Sequence, residues 1–275
     1  MDDGVDPRYV DHWVVLPTYN EAENVALTIQ GIARSIPGCT ILVVDDNSPD
    51  GTAAIAEAIV EPFVTVLVHR RPRKEGLGAA YVDGIGRAIS AGAQIVVQMD
   101  CDGSHDPSIL PRLTGLLSVS DLAVGSRYVE GGKIIGWPFH RLLLSKLANI
   151  YARRVLGVRT RDVTTGYRAW RSSALQEIDL AKSSGTGYAF LAESLFLASR
   201  SGLIVSETPI TFRDRELGKS KMALSEMING AIFLLKVAVA KRSRSKPAAS
   251  DDRGPNSTIE RRAGPDPSAL EGNRA

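Results

Sequence analysis

The chain has 275 residues, of which 44% are hydrophobic and 23% charged, with a formal net charge of +2. That length suits one large α/β domain or two small ones, the composition is ordinary for a globular protein, and so small a net charge gives no basic field for nucleic acid. The two cysteines, Cys39 and Cys101, make neither a disulfide framework nor a zinc spacing, so a reducing compartment is the default.

Residues 1–11 are polar, lack an apolar signal-peptide core, and are expected to be a flexible N-terminus. The first strand is Trp13-Val14-Val15-Leu16, and Pro17, which cannot donate to a ladder, marks its end. Asn20 and Glu23, followed by periodic Val25, Leu27, Ile29 and Ile32, predict a capped amphipathic helix. Thr40 to Val44 is a second strand, closed by the dense turn signal Asp45-Asp46-Asn47-Ser48-Pro49-Asp50-Gly51. A short Ala-rich helix over Thr52–Val60 and a third strand over Val64–Val68 follow. His69 to Gly78 is basic and contains glycine, with Arg70, Arg71, Arg73 and Lys74, and Ala79–Gly92 reads as a helix. Ile95-Val96-Val97 predicts a buried fourth strand that runs into Gln98-Met99-Asp100-Cys101-Asp102-Gly103-Ser104. Asp106-Pro107 opens another helix, with proline in the first turn, where its missing N–H costs nothing. Asp121–Ser126 is a fifth strand.

Strands alternating with helices of this length imply crossover units and a mostly parallel central sheet flanked by helices. Ligands bind such sheets outside the carboxyl ends of the strands. Pro17 to Glu21, Asp45-Asp46, Lys74 and Asp100 with Asp102 all follow strand ends, so one crevice collects them. Residues i and i+2 of an extended chain share a face, and two hard carboxylates there suit Mg²⁺ or Mn²⁺ that also holds phosphate oxygens. A solvated polar turn is the bland alternative, but it does not predict acids gathered at successive strand ends. A Rossmann or flavodoxin-like binder fails on Pro17-Thr18-Tyr19-Asn20, which is no Gly-rich phosphate turn. No apolar run reaches the roughly 18–20 residues that a transmembrane helix needs, so the protein is expected to be soluble or to lie on a membrane surface.

Three stretches, Leu16 to Glu21, Val44 to Thr52 and Asp100 to Pro107, together resemble the family 2 inverting glycosyltransferases with a GT-A nucleotide-sugar-binding fold. The second half narrows the resemblance to the polyprenol- and dolichol-phosphate mannose synthases: Val124 to Tyr128, Asp162 to Ala169, Ile210 to Arg215, and Gly218 to Met222. It covers residues 12–240, and the order and spacing of the motifs give it its weight.

The resemblance implies transfer of mannose from GDP-mannose to a polyprenyl phosphate, with Mg²⁺ or Mn²⁺ as cofactor. It gives donor binding to Pro17, Tyr19, Glu21, Val44, Asp46, Lys74, Asp100, Cys101 and Asp102. It makes Asp102 the surest metal ligand, with Asp100 and Ser104 beside it. Catalysis falls to Asp102, Arg127, Arg215 and Lys221, and the acceptor phosphate to Arg127, Arg141 and Arg215, whose guanidinium forks suit phosphate oxygens. Two positions depart from the family pattern. Cys101 stands where relatives most often carry Ala, and Ser104 where many place a metal-binding Gln, which leaves the metal preference open. His69, His105 and His140 carry no spacing that demands chemistry.

Residues 12–221 form the expected catalytic domain. Within it, 136–157 reads equally as an interfacial helix, with Trp137, Phe139 and interspersed cations, or as a buried helix covering the sheet. Residues 222–242 predict an amphipathic helix with a basic end, and 243–275, rich in Pro, Ser, Gly and Asp, a disordered tail. The implied setting is peripheral, on the cytoplasmic face of a membrane, with a separate membrane protein as a further partner. The alternatives are a polyprenyl-phosphate glucosyltransferase and a catalytically silent sugar-nucleotide-binding protein.

Overall fold

The apolar runs read as strands lie side by side. The computed structural model describes residues 4–180 and 188–214. In it β1 (His12–Thr18), β2 (Thr40–Asp45), β3 (Thr65–Arg70) and β4 (Ile95–Gln98) pair in parallel. They belong to a seven-stranded sheet of order β3-β2-β1-β4-β7-β5-β8. Its second half contains β5 (Leu122–Ser126) and β8 (Val205–Pro209), parallel to each other. Between β4 and β5 runs β7 (Arg168–Arg171), antiparallel to both. A separate parallel pair joins β6 (Lys133–Ile135) and β9 (Thr211–Arg213).

The central strands are buried on both faces, so they read as continuous apolar runs. Along β1, Val14 and Leu16 enter one layer and Val15 the other, as a period of two requires. One layer is closed by α1 (Val25–Ser35) and α4 (Leu110–Gly115), through Ile29, Ile32, Leu110 and Leu113. The other is closed by α3 (Leu77–Ser90), α5 (Phe139–Leu156) and α7 (Tyr188–Arg200), through Tyr81, Ile85, Ala152, Phe190 and Leu195. Two short helices, α2 (Thr52–Glu57) and α6 (Ser172–Glu177), complete the set described.

Several boundaries differ from the sequence reading, each for a local reason. β1 continues through Pro17, which pairs with Val44. Odd residues of β1 bond toward β4, since the Val15 carbonyl accepts from Met99 N–H. The β1–β4 pairing ends at Val15, so proline replaces no ladder donor at position 17. α1 starts only at Val25, because Asn20 takes a left-handed φ of 58° and the chain first turns. Leu27 then falls on its outer face. The N-terminal segment forms a helical turn at Pro7–Tyr9, with Tyr9 buried edge-on against His12. Arg215, Lys221, the 222–242 segment and the 243–275 tail lie outside the described residues.

Candidate active site

The candidate residues of the first half gather at the carboxyl ends of β1, β2 and β4. Asp45 closes β2 by accepting from Thr18 Oγ1 at 2.9 Å and from Ser48 N–H at 2.8 Å, so the first two loops are stitched together. Asp50 Oδ2 accepts from Ala22 N–H at 3.1 Å, and Thr52 Oγ1 from Glu21 N–H at 2.9 Å. Glu21 accepts from Asn24 Nδ2 at 2.9 Å, just before α1 begins. Tyr19 presents its ring to Lys74, whose Nζ lies 3.9 Å from the ring centroid, a cation–π contact. Asp46 is buried and holds Arg71 and the main-chain N–H groups of Glu75 and Gly76. Val44 lies wholly in the core beneath this edge, and Pro17 pairs beside it in the sheet.

The carboxylate loop bends rather than staying extended. β4 ends at Gln98, and Gly103, at φ +74°, turns the chain where a side chain would be strained. Asp100 accepts from Tyr81 Oη–H at 2.9 Å. Burial, reinforced by the nearby Asp100 and Asp102 charges, pushes the Tyr81 phenol well above its ordinary pKa, so it stays a donor. Asp102 Oδ1 accepts from Ser104 N–H at 3.0 Å and Ser104 Oγ–H at 2.5 Å. Ser104 therefore orients Asp102. Cys101 turns the opposite way, into the core against Thr28 of α1, where burial pushes its thiol pKa up. The Cys101 thiol therefore does not face the carboxylates of this edge.

His105 braces this loop. Its Nδ1 accepts from Asp100 N–H at 3.1 Å, which places its own proton on Nε2. The ring stacks on Tyr167 at 4.8 Å and meets Phe212 edge-on at 6.0 Å. Phe212 carries the contact onward, to the Arg127 guanidinium at 5.2 Å and to Trp137 at 5.4 Å. Arg141 lies over Trp137 at 4.1 Å. An unbroken run of rings and guanidiniums thus joins the carboxylate loop to the two arginines.

Each arginine is fixed by an acid. Arg127, at the end of β5, donates from Nε and Nη2 to the two oxygens of Asp162 at 2.7 and 2.8 Å, and its main-chain N–H adds a third bond. Asp162 is itself held by Glu207 of β8, which accepts from the N–H groups of Arg161 and Asp162. Arg141, in the first turn of α5, donates to both oxygens of Asp214 at 3.0 Å. α5 is locked to this edge by Asn149, whose Oδ1 accepts from Val163 N–H at 2.8 Å, and by Ser145, which accepts from Tyr128 Oη–H at 2.7 Å. Arg168 of β7 is fully buried, with its guanidinium on the carbonyls of Val163 and Leu191 and on Ser194 Oγ. Burial pushes its pKa down to about 10, so it remains charged at neutral pH.

Sequence reasoning gave Tyr81, His105, Asp162 and Glu207 no role. His105 stands three residues from Asp102, a local signal. Asp162 is 35 residues from Arg127, and nothing in the spacing pairs them.

The donor set around Asp102 suits a divalent cation that brings its own ligands. Among the described residues no cluster of three His, Cys, Asp or Glu side chains could hold a metal alone. One or two carboxylates, completed by water and substrate phosphate, is how Mg²⁺ is ordinarily bound at phosphate sites.

A mostly parallel sheet with a bent Asp-x-Asp loop at its carboxyl edge defines the GT-A class of α/β transferases. A sequence profile described as glycosyl transferase family 2 matches residues 13–179, and the chain belongs to that family. It is 47% identical over 223 residues to the polyprenol monophosphomannose synthase of Mycolicibacterium smegmatis, covering 80% of this chain and 83% of that one. It is 43% identical over 209 residues to the undecaprenyl-phosphate mannosyltransferase of Micrococcus luteus, covering 76% and 86%. Among solved structures, glucosyl-3-phosphoglycerate synthase from Mycobacterium tuberculosis, crystallised with Mn²⁺, UDP and glucosyl-3-phosphoglycerate, superposes with a TM-score of 0.58 at 20% identity over 86% of this chain and 81% of that one. The same enzyme with Mn²⁺ and UDP-glucose gives 0.58 at 20% identity, over 86% and 80%. These two share the fold.

Proposed function

We propose that the protein transfers mannose from GDP-mannose to a polyprenyl phosphate with inversion, making polyprenyl phosphate β-mannose as a lipid-linked mannose donor for glycolipid or glycoprotein assembly. The observation that carries this reading is the meeting, at one sheet edge, of the Asp100–Asp102 loop with Arg127 and Arg141 through continuous ring contacts. Two curated relatives named for mannosyl transfer to polyprenyl phosphates support the sugar and the acceptor. GDP as the carrier rests on the motifs of the first two loops.

A lipid phosphate oxygen is already ionised near neutral pH, so attack on the anomeric carbon needs no general base. His105 fits that scheme, since its Nδ1 is engaged by the loop. The new C–O bond forms as the bond to the diphosphate oxygen breaks, and GDP departs. A divalent cation, Mg²⁺ or Mn²⁺, held by Asp102 with Asp100 or Ser104, neutralises charge on that leaving group when bound. The chain's own task is to hold two anions in line against their repulsion. Pro17, Tyr19, Glu21, Asp46 and Lys74 hold the nucleoside end. Arg127 and Arg141, each fixed by its carboxylate, face the acceptor phosphate. Arg215 and Lys221, outside the described residues, are proposed to join them.

The setting is proposed as peripheral, on the cytoplasmic face of a membrane. No helix among the described residues is long and apolar enough to cross one. α5 exposes Phe139, Leu143, Leu144, Leu147, Ile150 and Tyr151 beside His140, Lys146 and Arg154. An apolar stripe flanked by cations suits a helix resting in headgroups. The 222–242 segment is proposed as a second contact, and a separate membrane protein as a partner.

Purified protein with labelled GDP-mannose, polyprenyl phosphate and Mg²⁺ or Mn²⁺ is the test, with GDP-glucose and UDP-glucose in parallel. Metal-dependent label in the organic phase from GDP-mannose alone is expected. Transfer from UDP-glucose instead would overturn the sugar. Nucleotide binding without transfer from any donor would favour the silent-binder reading.

A further inference from the structure

Arg71 is buried, 6% exposed, among three carboxylates. Its guanidinium meets Asp46, Glu75 Oε2 at 2.5 Å and Asp83 Oδ2 at 3.4 Å. Its main-chain N–H donates to the Asp45 carbonyl at 2.8 Å, which prolongs β3 by one ladder bond. Asp46 in turn accepts on Oδ2 from the N–H groups of Glu75 at 3.2 Å and Gly76 at 3.1 Å. One carboxylate therefore ties both ends of the loop 71–76: the side chain at its start and two amides at its finish. Lys74 hangs between those ties, with its ammonium on the Tyr19 ring.

We propose that Arg71 is a positioning residue for the donor nucleotide. It holds Asp46 and, through the doubly tied loop, places Lys74 against Tyr19, without touching the donor itself. This rests on the reading of this edge as the nucleotide-sugar site. A buried carboxylate stripped of its countercharge does not keep its place, and a loop pinned at both ends loses little freedom when a ligand arrives. If the loop were only a solvated basic turn, Lys74 would contribute the same with or without Arg71. The pin makes the two contributions dependent on each other.

The test measures GDP binding by calorimetry, and transfer with donor and lipid phosphate varied separately. The proteins are the unmodified chain, Arg71→Gln, Arg71→Lys, Lys74→Ala and the Arg71→Gln/Lys74→Ala double variant. Arg71→Gln is expected to weaken GDP binding and raise the donor KM about tenfold, while the lipid-phosphate KM moves less than about twofold. Arg71→Lys recovers part of the loss, because an ammonium keeps the charge but not the fork. The double variant binds GDP more weakly than Lys74→Ala, but by less than the two single losses added together, because only the Asp46 part of the Arg71 effect remains. Unchanged GDP affinity in Arg71→Gln, an equal rise in both KM values, or full additivity in the double variant would overturn the proposal. A melting curve accompanies each variant. If Arg71→Gln does not fold, Arg71→Lys alone and combined with Lys74→Ala makes the same comparison. An unmodified chain that binds another nucleoside diphosphate in place of GDP overturns the donor reading, and Arg71 is then judged with that nucleotide.

Discussion

The β1–β4 side of the molecule and the side of β5 to β9 hold most of their charged residues in different ways. On the β1–β4 side three carboxylates take a bond from within their own turn, Asp45 from Ser48, Asp50 from Thr52 and Asp102 from Ser104, whereas Asp46 is held by Arg71, 25 residues on. On the β5–β9 side the charges are arginines, held by acids far along the chain. Arg127 reaches Asp162 across 35 residues and Arg141 reaches Asp214 across 73. Local ties form with the turn itself, whereas distant ones exist only once the whole sheet has assembled. Damage to a carboxylate tied within its own turn, such as Asp102, should therefore strike chemistry and spare the fold, and damage to a distant pair such as Arg127–Asp162 should strike both.

The largest effect expected is from Asp102→Ala. Transfer should fall by on the order of a thousandfold, by analogy with removing a group that stabilises developing charge. The melting curve should stay close to that of the unmodified chain. A comparable loss of stability would break the contrast. Asp162→Ala should behave differently, costing about 3–5 kcal/mol of stability in urea titrations because it removes the carboxylate that takes three hydrogen bonds from the buried Arg127. Acid should reveal the same pair. Burial by itself pushes the Asp162 carboxyl up, but the Arg127 charge and hydrogen bonds outweigh it and hold the pKa below its ordinary value. A carboxylate depressed in the folded state gives stability that is present above the unfolded pKa and is lost as pH falls through the folded one. The unmodified chain should thus lose stability below about pH 4 more steeply than Asp162→Asn.

Smaller effects sharpen the comparison at its edges. Leu143→Asp and Leu147→Asp on α5 should each weaken binding to anionic vesicles about tenfold, from lost apolar burial. GDP affinity should not change in either. Vesicle binding that survives both changes would remove α5 from the membrane contact. Cys101→Ala should cost only about 1 kcal/mol of stability and move the donor KM less than about twofold. A large rise in that KM would mean that the thiol meets the donor.

The same contrast explains what could be read from the sequence. The four parallel strands, the turn after β2 and the Asp100–Asp102 loop announce themselves within short windows, by β-branched runs, turn residues and paired acids. The error at Pro17 came from judging a strand end by one residue, when the missing neighbour on the β4 side was what made proline harmless. β7, only four residues long, is too short for a period to show, and neither of its neighbours precedes or follows it directly in the chain. Asp162 and Asp214 stand in motifs of their own, but nothing in those motifs pairs them with Arg127 and Arg141. Pairing across such distances is a property of the assembled sheet. The resemblance counts Cys101 among the donor-binding residues, and its burial against Thr28 was not legible in the sequence. The bend of the loop after β4 is what turns its side chain into the core.

The reversed direction of β7 has a consequence for how this protein tolerates change in length. A parallel strand enters the sheet from the far side and delivers its loop to the crevice. β7 does the opposite: the chain passes the crevice first, through Asp162 to Tyr167, and only then enters the sheet. Gly166 there lies so close that a Cβ would stand 3.1 Å from the Asp100 carboxylate. An insertion just before β7 would be absorbed at the mouth of the site, against both Asp100 and Arg127. An insertion after Arg171 would emerge on the opposite side of the molecule, out of reach of either substrate. Residues 162–167 should therefore tolerate a change of length far less well than those that follow Arg171.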